Sequence, residues 1–271
     1  MEKRKILYIS QEISPYVAEN HNSLRGRVIS QGVQGKGFEV RTFMPKYGSI
    51  NERRNQLHEV IRLSGINIII DDTDHPLIIK VATLQPTRMQ VYFIDSDDYF
   101  SRSPIKELET LTSPEENAER SIFFVRGVVE TVKKLRWAPG VIHCVGWISA
   151  LTPMILKKIY NDDPTFSEAK VVFSITDPSD FPASFEPSFI EKVKTDELSA
   201  EDLAPITGSN EIGYDSLMRL GIAHSDGVVV STPEPDNALL DYARSLGKPI
   251  LDYQPDADNA AESYIEFYNS L

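Results

Sequence analysis

Residues 138–151 constrain the fold more than any other part of the chain. A proline and a glycine precede the apolar run Val141–Val145, and Gly146 interrupts the pattern before Trp147. From Trp147 onward the apolar residues recur at helical spacing. This pattern predicts a buried strand, a tight glycine turn and a helix. Open α/β sheets bind ligands at such junctions, so the stretch predicts a ligand-binding corner.

The rest of the chain alternates between strand and helix patterns. Residues 5–10 and 38–44 are predicted strands, joined by a helix with Ser23 as its N-cap and an end near Lys36. The later predicted elements are a helix at 114–135, a strand at 170–175, a helix at 211–222, a strand at 227–231, a helix at 235–246, a strand at 249–251 and a last helix from about Asp258. We therefore predict one α/β domain over residues 1–271, a Rossmann-like, doubly wound, mostly parallel sheet with helices on both faces.

Two segments depart from this alternation. Three β-rich runs between about residues 60 and 95 predict a hairpin or meander attached to the main sheet. An acidic cluster separates the first two runs: Asp71, Asp72, Asp74 and His75. These residues suit a metal site, but Asp and the following Pro76 are also what a strand reversal needs, and a turn is the favoured interpretation. Residues 178–209, rich in Pro, Ser and acidic residues, are predicted to be irregular.

Charge and cysteine content exclude several functional classes. The net charge is −12, and it is uneven: residues 1–62 hold 11 Lys and Arg against 6 Asp and Glu, whereas residues 176–271 hold 5 against 19. So acidic a chain is not expected to bind nucleic acid. The single cysteine, Cys144, rules out an intramolecular disulfide and fits a reducing cytoplasm. No apolar run approaches membrane-spanning length and no signal-peptide core is present, so we expect a cytoplasmic protein without a membrane partner.

Generic enzyme motifs are absent from the sequence. There is no G-x-G-x-x-G turn, P-loop, G-x-S-x-G elbow or H-E-x-x-H pair. His143 lies in the predicted strand Val141–Val145, where a buried, hydrogen-bonded core histidine is a better explanation than a catalytic one. We therefore predict no catalytic residue, no metal and no cofactor.

Several motifs fall in an order and at spacings that are typical of one enzyme family. They are Ser10-Gln11-Glu12-Ile13-Ser14-Pro15-Tyr16, Met44-Pro45-Lys46-Tyr47-Gly48, Val91-Tyr92-Phe93-Ile94-Asp95, Glu119-Arg120 before Phe123-Phe124, and the stretches 139–151, 171–177 and 217–233. Over most of residues 4–235 this series resembles the N-terminal catalytic domain of bacterial glycogen (starch) synthases. The resemblance implies one half of a GT-B glycosyltransferase fold. It also makes ADP-glucose and α-1,4-glucan the expected ligands.

The chain departs from that family at its ligand-binding motifs. Such synthases carry Lys-Thr-Gly-Gly-Leu after the first strand, where this chain has Ala18-Glu19-Asn20-His21-Asn22. The cation and the glycines that let a diphosphate approach are therefore missing, with His21 or Arg25 as possible substitutes. The family's His-Asp-Trp-His-Thr-Ala-Leu corresponds to Val145-Gly146-Trp147-Ile148-Ser149-Ala150-Leu151, and its Ile-His-Asn to Ile175-Thr176-Asp177.

The resemblance therefore leaves a short set of candidate substrate-binding residues. They are Trp147, Ser149, Thr176, Asp177, His21, Arg25, Arg102 and Arg120. The three arginines are anion contacts in this interpretation, and surface or helix salt bridges in the alternative one.

Three hypotheses about function follow. The first is a shortened, single-domain glycogen synthase-like protein that is not catalytic on its own and acts as a glucan- or protein-binding module. The second is an ADP-glucose-dependent α-1,4-glucan glucosyltransferase that a partner glycosyltransferase chain or a homodimer completes. The third is an unrelated small-molecule enzyme on a reused fold. We favour the first. Transferring glucose requires a cation that stabilises the leaving diphosphate, and this chain lacks the lysine that supplies it in the family.

Overall fold

The sheet is the frame that positions every candidate residue. A computed structural model describes residues 4–101, 114–181, 184–208 and 210–271 of the chain. Over these residues ten strands are assigned to one sheet. They are β1 Lys5–Ser10, β2 Glu39–Pro45, β3 His58–Glu59, β4 Ile66–Ile70, β5 Thr73–Leu84, β6 Met89–Asp95, β7 Val141–Val145, β8 Lys170–Ile175, β9 Gly227–Val230 and β10 Ile250–Leu251.

The strand order confirms the predicted doubly wound, mostly parallel α/β sheet. The order is β10-β9-β8-β7-β1-β2-β6-β5-β3, with β4 paired to β5. All neighbours from β10 to β6 run parallel, and only β3, β4 and β6 pair with β5 in the antiparallel sense. Strand β1 is central, with β2 on one side and β7 on the other, so the winding direction reverses between β1 and β7.

Helices pack on both faces of the sheet. The described helices are α1 His21–Gly35, α2 Pro114–Leu135, α3 Thr152–Met154, α4 Ser188–Val193, α5 Tyr214–His224, α6 Asn237–Ser245 and α7 Ala261–Ser270. Helices α1 and α7 contact each other so closely that a Cβ atom on Gly32 would lie 2.9 Å from the Ala261 Cβ. His143 points to this face, where it contacts Tyr268 of α7, and the next residue, Cys144, points to the other face toward Thr152.

Helix α1 begins earlier than the sequence predicts. Asn20 is the N-cap, and its side-chain oxygen accepts a hydrogen bond from the Ser23 backbone N–H at 2.8 Å. Ser23 was expected to be the cap, but it is the third helical residue, and its hydroxyl accepts from the Asn20 backbone N–H at 3.0 Å. The predicted cap is therefore wrong by three positions, because both residues take part in one reciprocal capping box.

The predicted meander is confirmed, with a shorter reversal than expected. Strands β4, β5 and β6 pair antiparallel in succession, and the turn between β4 and β5 consists of Asp71 and Asp72, which have positive φ angles of 51° and 60°. Pro76 lies within β5 opposite Asn67, in the part of β5 that pairs only with β4. A proline is tolerated there because no second neighbour needs its missing N–H. The His75 ring is held by Asp98 at 2.8 Å and by the Tyr99 hydroxyl at 3.0 Å.

The stretch after β7 is less regular than one helix. Gly146 has a φ of 87° and is followed by the 3-10 turn Trp147–Ser149, then α3, then the π-helical turn Ile155–Ile159. The segment predicted to be irregular, residues 178–209, contains α4 and two 3-10 turns among its described residues. Its buried aromatic side chains, Phe185 and Phe189, anchor it to the body of the protein.

Candidate functional site

The site lies where the winding of the sheet reverses. The carboxyl ends of β1, β7, β8 and β9 lie side by side at one edge, and α1 begins above that edge. The loops that follow these strands carry Gln11, Gly146, Asp177 and Thr232. Such a reversal point is where open α/β sheets bind ligands. The ligand-binding corner predicted from residues 138–151 is therefore one part of a larger site, which the loops after all four strands form.

A glycine is required where β7 ends. A Cβ atom on Gly146 would lie 2.7 Å from Oε1 and 2.8 Å from Cβ of Gln11. The Gln11 backbone N–H also donates to the Val145 carbonyl oxygen at 3.1 Å, which ties the loop after β1 to the end of β7. The small residue and its left-handed backbone together let these two loops meet.

A cleft of about 350 Å³ opens between the start of α1 and the loops after β8 and β9. We call it the α1 cleft, and its lining residues are Asn20, His21, Asn22, Asp177, Ser179, Thr232 and Pro233. Two predicted site residues, His21 and Asp177, thus come together here. His21 Nε2 donates to the Ser231 carbonyl oxygen at 2.8 Å, which fixes the ring at the edge of the cleft.

Asp177 is held as a carboxylate. Its Oδ1 accepts hydrogen bonds from the Ser179 hydroxyl at 2.6 Å and the Ser179 backbone N–H at 2.8 Å. These two bonds keep the pKa of Asp177 below its usual range, and His21 nearby acts in the same direction. Within the described residues Oδ2 has no hydrogen-bond partner, so it remains available to a ligand in the cleft.

Arg25 lies beside the α1 cleft but is engaged by the chain's own C-terminal segment. Its Nη1 donates to the Gln254 carbonyl oxygen at 2.7 Å, and its Nη2 to the Tyr264 hydroxyl at 3.3 Å. Its guanidinium carbon lies 4.9 Å from the centre of the Tyr253 ring. Only 6% of Arg25 is exposed. It lines a small internal cavity of about 20 Å³, enough for one water, behind the cleft.

Three other predicted residues lie beneath this corner rather than in the α1 cleft. Trp147 is buried edge-on against Phe181 and Phe185, with ring centroids 5.8 Å away in both pairs. The Ser149 hydroxyl donates to the Gly146 carbonyl oxygen at 2.8 Å. Thr176 is buried, and its backbone carbonyl accepts a hydrogen bond from the Tyr214 hydroxyl.

Polar atoms without partners mark this corner. Among the described residues, Gln11 Oε1, Trp147 Nε1 and Thr176 Oγ1 are buried and make no hydrogen bond. They follow β1, β7 and β8 respectively. Buried polar atoms are almost always satisfied in native proteins, so unpaired ones at one sheet edge indicate a place for water or ligand.

The remaining predicted arginines are not in the α1 cleft. Arg120 lies on α2, 3% exposed, and donates from Nε to the Tyr99 carbonyl oxygen at 2.8 Å and from Nη1 to Asn117 Oδ1 at 3.0 Å. Its Nη2 also lies 3.7 Å from Glu116 Oε2 one turn earlier in α2, which is the helix salt bridge of the alternative interpretation. Arg102 lies outside the described residues.

Ser179, Thr232 and the capping role of Asn20 are not predicted from the sequence. The first two follow strands β8 and β9 at the ligand-binding edge, so the strand pattern alone could have identified them. Asn20 also donates from Nδ2 to Glu12 Oε2 at 2.8 Å, a contact between two loops that no local pattern indicates.

The lining of the α1 cleft suits a neutral, hydroxyl-rich ligand. Among the described residues that line it, none is Lys or Arg, and amide, imidazole, hydroxyl and carboxylate groups supply its polar contacts. The described residues include no group of three or more His, Cys, Asp or Glu placed to hold a metal ion. No helix among them is both long enough and apolar enough to span a bilayer.

Comparisons with known proteins identify the family to which the chain is similar. A family model for the starch synthase catalytic domain matches residues 5–239. The glycogen synthase of Chlorobium limicola is 37% identical over 172 residues, which cover 63% of this chain and 35% of that protein. The glycogen synthase of Chlorobaculum tepidum is 33% identical over 241 residues, which cover 88% of this chain and 47% of that protein.

The fold has a close counterpart among solved structures. The catalytic domain of starch synthase IV from Arabidopsis thaliana, bound to ADP and acarbose, superposes with a TM-score of 0.76 at 16% identity, over 96% of this chain and 53% of that one. This chain thus spans less than half the length of the two glycogen synthases compared above. The sequence motifs, the strand order and the family match agree, and the chain belongs to the starch synthase catalytic domain family.

Proposed function

We propose that this protein binds α-1,4-glucan chains in the α1 cleft and does not transfer glucose from ADP-glucose on its own. Membership of the starch synthase catalytic domain family supports glucan as the ligand class. The half-domain similarity to glycogen synthases makes ADP-glucose the second ligand to test.

The observation that carries the proposal is the charge of the cleft. Asp177 contributes a carboxylate and His21 a ring held by a backbone carbonyl, while no described lining residue is a cation. Glu12, which accepts a hydrogen bond from Asn20, adds negative charge near the start of α1, whereas Glu19 there is paired with Arg27 at 3.9 Å. Sugar hydroxyls donate well to carboxylate and amide oxygens, whereas a diphosphate needs cationic or N–H donors.

Arg25 strengthens this argument. It lies on α1 four positions after His21, yet Gln254 and Tyr264 engage its Nη1 and Nη2, and its guanidinium lies against the Tyr253 ring. Only Nε, which is buried, has no hydrogen-bond partner among the described residues. To reach a diphosphate it would have to give up these contacts within a nearly closed environment. The stabilisation of a leaving diphosphate, which this transfer requires, is therefore not provided by the α1 cleft.

Calorimetric titration tests the proposal. We expect maltoheptaose to bind, ADP and ADP-glucose not to bind, and glucose incorporation into glycogen to stay at background. Asp177→Ala and His21→Ala should weaken maltoheptaose binding at least tenfold. Asp162→Asn, which changes an exposed aspartate outside the cleft, serves as the matched control. Binding of ADP-glucose together with glucose incorporation would overturn the proposal.

A partner-completed transferase is the second candidate, and the family match favours it. The match to the starch synthase catalytic domain family supports a transferase role for a complete assembly. In that case activity should appear when a partner glycosyltransferase chain or a homodimer supplies the missing cations. Activity measured across protein concentrations and after size separation distinguishes a homodimer from a separate partner.

A further inference from the structure

A second cavity opens at the opposite edge of the sheet. It has a volume of about 400 Å³ and lies where α1 ends and where β2 and β6 begin. We call it the β2–β6 cavity, and its lining residues are Gln34, Gly35, Phe38, Glu39, Val40, Arg41, Thr87, Arg88 and Gln90. None of these residues lines the α1 cleft. The volume is in the range of small-molecule sites.

Arg41 gives this cavity a partly uncompensated positive charge. Its Nη1 is buried and has no hydrogen-bond partner among the described residues. Its Nη2 lies 3.5 Å from Glu39 Oε1, at the limit of a hydrogen bond, and the same oxygen accepts from Trp137 Nε1 at 2.7 Å. The guanidinium carbon lies 4.6 Å from the centre of the Trp137 ring, which fixes its plane. An unpaired, buried guanidinium N–H is costly, so a partner in the cavity would be stabilising.

Gln34, which also lines the cavity, carries an unpaired acceptor. Its Nε2 donates to the Thr87 carbonyl oxygen at 2.8 Å, and this bond fixes the orientation of the amide. Its Oε1 is then left buried without a partner among the described residues. Such an oxygen requires a donor, for example a hydroxyl group.

Arg88 completes the lining at the mouth of the cavity. Its side chain is exposed, its backbone is left-handed with a φ of 58°, and it forms no ion pair within the described residues. Glu39 also lines the cavity, but Trp137 and Arg41 already engage its Oε1. The charged groups of the cavity are thus the two arginines and the Glu39 carboxylate, which Arg41 and Trp137 engage, and Gln34, Thr87 and Gln90 supply its neutral polar groups.

We propose that the β2–β6 cavity binds a small anion that also carries hydroxyl groups, of the chemical class of a phosphorylated monosaccharide. Arg41 and Arg88 bind the anionic group by charge-assisted hydrogen bonds. Gln34 Oε1 accepts a hydrogen bond from a hydroxyl of the same molecule. This site is separate from the α1 cleft and does not depend on the function proposed for it.

The test uses three probes in calorimetric titrations of the full chain. Glucose 6-phosphate carries both groups, sulfate has the charge without a donor hydroxyl, and glucose has the hydroxyls without the charge. We expect glucose 6-phosphate to bind at least tenfold more tightly than sulfate, and glucose to give no signal. Equal affinity for glucose 6-phosphate and sulfate would overturn the role of Gln34. Equal affinity for glucose 6-phosphate and glucose would overturn the role of the arginines.

Substitutions of lining residues test whether the probes bind in the β2–β6 cavity. Arg88→Gln should weaken the binding of both anions about tenfold. Gln34→Met should lower the affinity for glucose 6-phosphate to that for sulfate and leave the affinity for sulfate unchanged. Arg136→Gln is the matched control, because Arg136 is also exposed and left-handed, with a φ of 49°, but does not line the cavity.

Two further outcomes would contradict the proposal. One is that no probe binds while circular dichroism shows a folded protein. The other is that Asp177→Ala, in the α1 cleft, abolishes glucose 6-phosphate binding while Arg88→Gln does not, which would place the anion in the cleft.

Discussion

The Tyr268 hydroxyl lies 2.7 Å from Nδ1 of His143, although 125 positions separate the two residues in the sequence. The other ring nitrogen of His143 lies 2.7 Å from the Ser174 hydroxyl, which in turn accepts from Ser231 at 3.0 Å. On the other side, the Tyr268 hydroxyl lies 2.8 Å from that of Tyr8. The prediction of a satisfied core histidine is therefore confirmed, and α7 supplies one of its two partners.

His143 should make the protein sensitive to acid. Burial lowers the pKa of His143 to about 3, whereas an unfolded histidine titrates near 6.5. Above pH 6.5 both states are neutral. As the pH falls from 6.5 toward 3, only the unfolded state takes up the proton, so the free energy of unfolding should drop by on the order of 3 kcal/mol at pH 4. Urea denaturation between pH 4 and 7.5 measures this loss.

The control for that measurement is His143→Gln, which keeps polar atoms but cannot titrate. Other groups contribute to acid sensitivity in both proteins, so the difference between the two curves isolates His143. Parallel curves, or a His143 ring signal that titrates near pH 6.5 in NMR spectra, would contradict the prediction.

Tyr268→Phe should destabilise the fold by about 2–6 kcal/mol. The change removes one hydroxyl but leaves two buried groups, Tyr8 Oη and His143 Nδ1, without that partner, and each unsatisfied group costs about 1–3 kcal/mol. Tyr160→Phe is the comparison, because the Tyr160 hydroxyl donates only to Glu130 at a half-buried position. Chemical denaturation should show a much smaller loss for Tyr160→Phe, and equal losses would mean that the network adds nothing.

Gly146→Ala should destabilise by about 2–4 kcal/mol, from backbone strain and overpacking. The φ of 87° disfavours any side chain, and the new methyl group would collide with Gln11. Gly35→Ala, a glycine at the end of α1 with open space around it, should instead be neutral or stabilising. Thermal unfolding of both variants provides the comparison, and similar melting temperatures would show that the two loops do not meet as described.

Restoring a cation should restore diphosphate binding. Ala18 and Glu19 are exposed, and the resemblance drawn from the sequence places them opposite the Lys-Thr of glycogen synthases. Ala18→Lys with Glu19→Gln should therefore tighten ADP binding at least tenfold. Asp162→Lys changes the net charge by the same two units at a distant exposed position and should have no such effect. Fluorescence or calorimetric titration with ADP measures the gain, and an equal gain in both variants would indicate a general charge effect.

The sequence predicted those parts of the fold that depend on local patterns. Val141–Val145 and Lys170–Ile175 are predicted at their observed bounds, because apolar runs of that length bounded by turn residues form buried strands. The cap of α1 was less certain from sequence, since Asn20 and Ser23 are both good capping residues and only their mutual hydrogen bonds decide between them.

The candidate site depended on contacts between distant residues, and there the sequence was insufficient. Arg25 follows the first strand closely enough to be predicted as a contact for an anion. Its side chain is instead engaged by Gln254 and Tyr264, which lie more than 220 positions later in the sequence. Trp147 is a candidate substrate-binding residue by its position in the sequence, but its ring is buried against Phe181 and Phe185. Both phenylalanines lie in residues 178–209, which the composition predicted to be irregular. Their contact with Trp147 is not visible in that composition, because Trp147 lies in another part of the chain.

The contact between α7 and the central strands also sets an order of events during synthesis. Tyr268 follows its partner Tyr8 by 260 positions and His143 by 125, so both residues are synthesised well before the hydroxyl that joins them. Until then, a nascent chain carries a buried histidine and a tyrosine that lack a shared partner. The central sheet therefore reaches its final stability only after α7 has been synthesised and has docked, and chains stalled or truncated before α7 should be preferred substrates of chaperones and proteases.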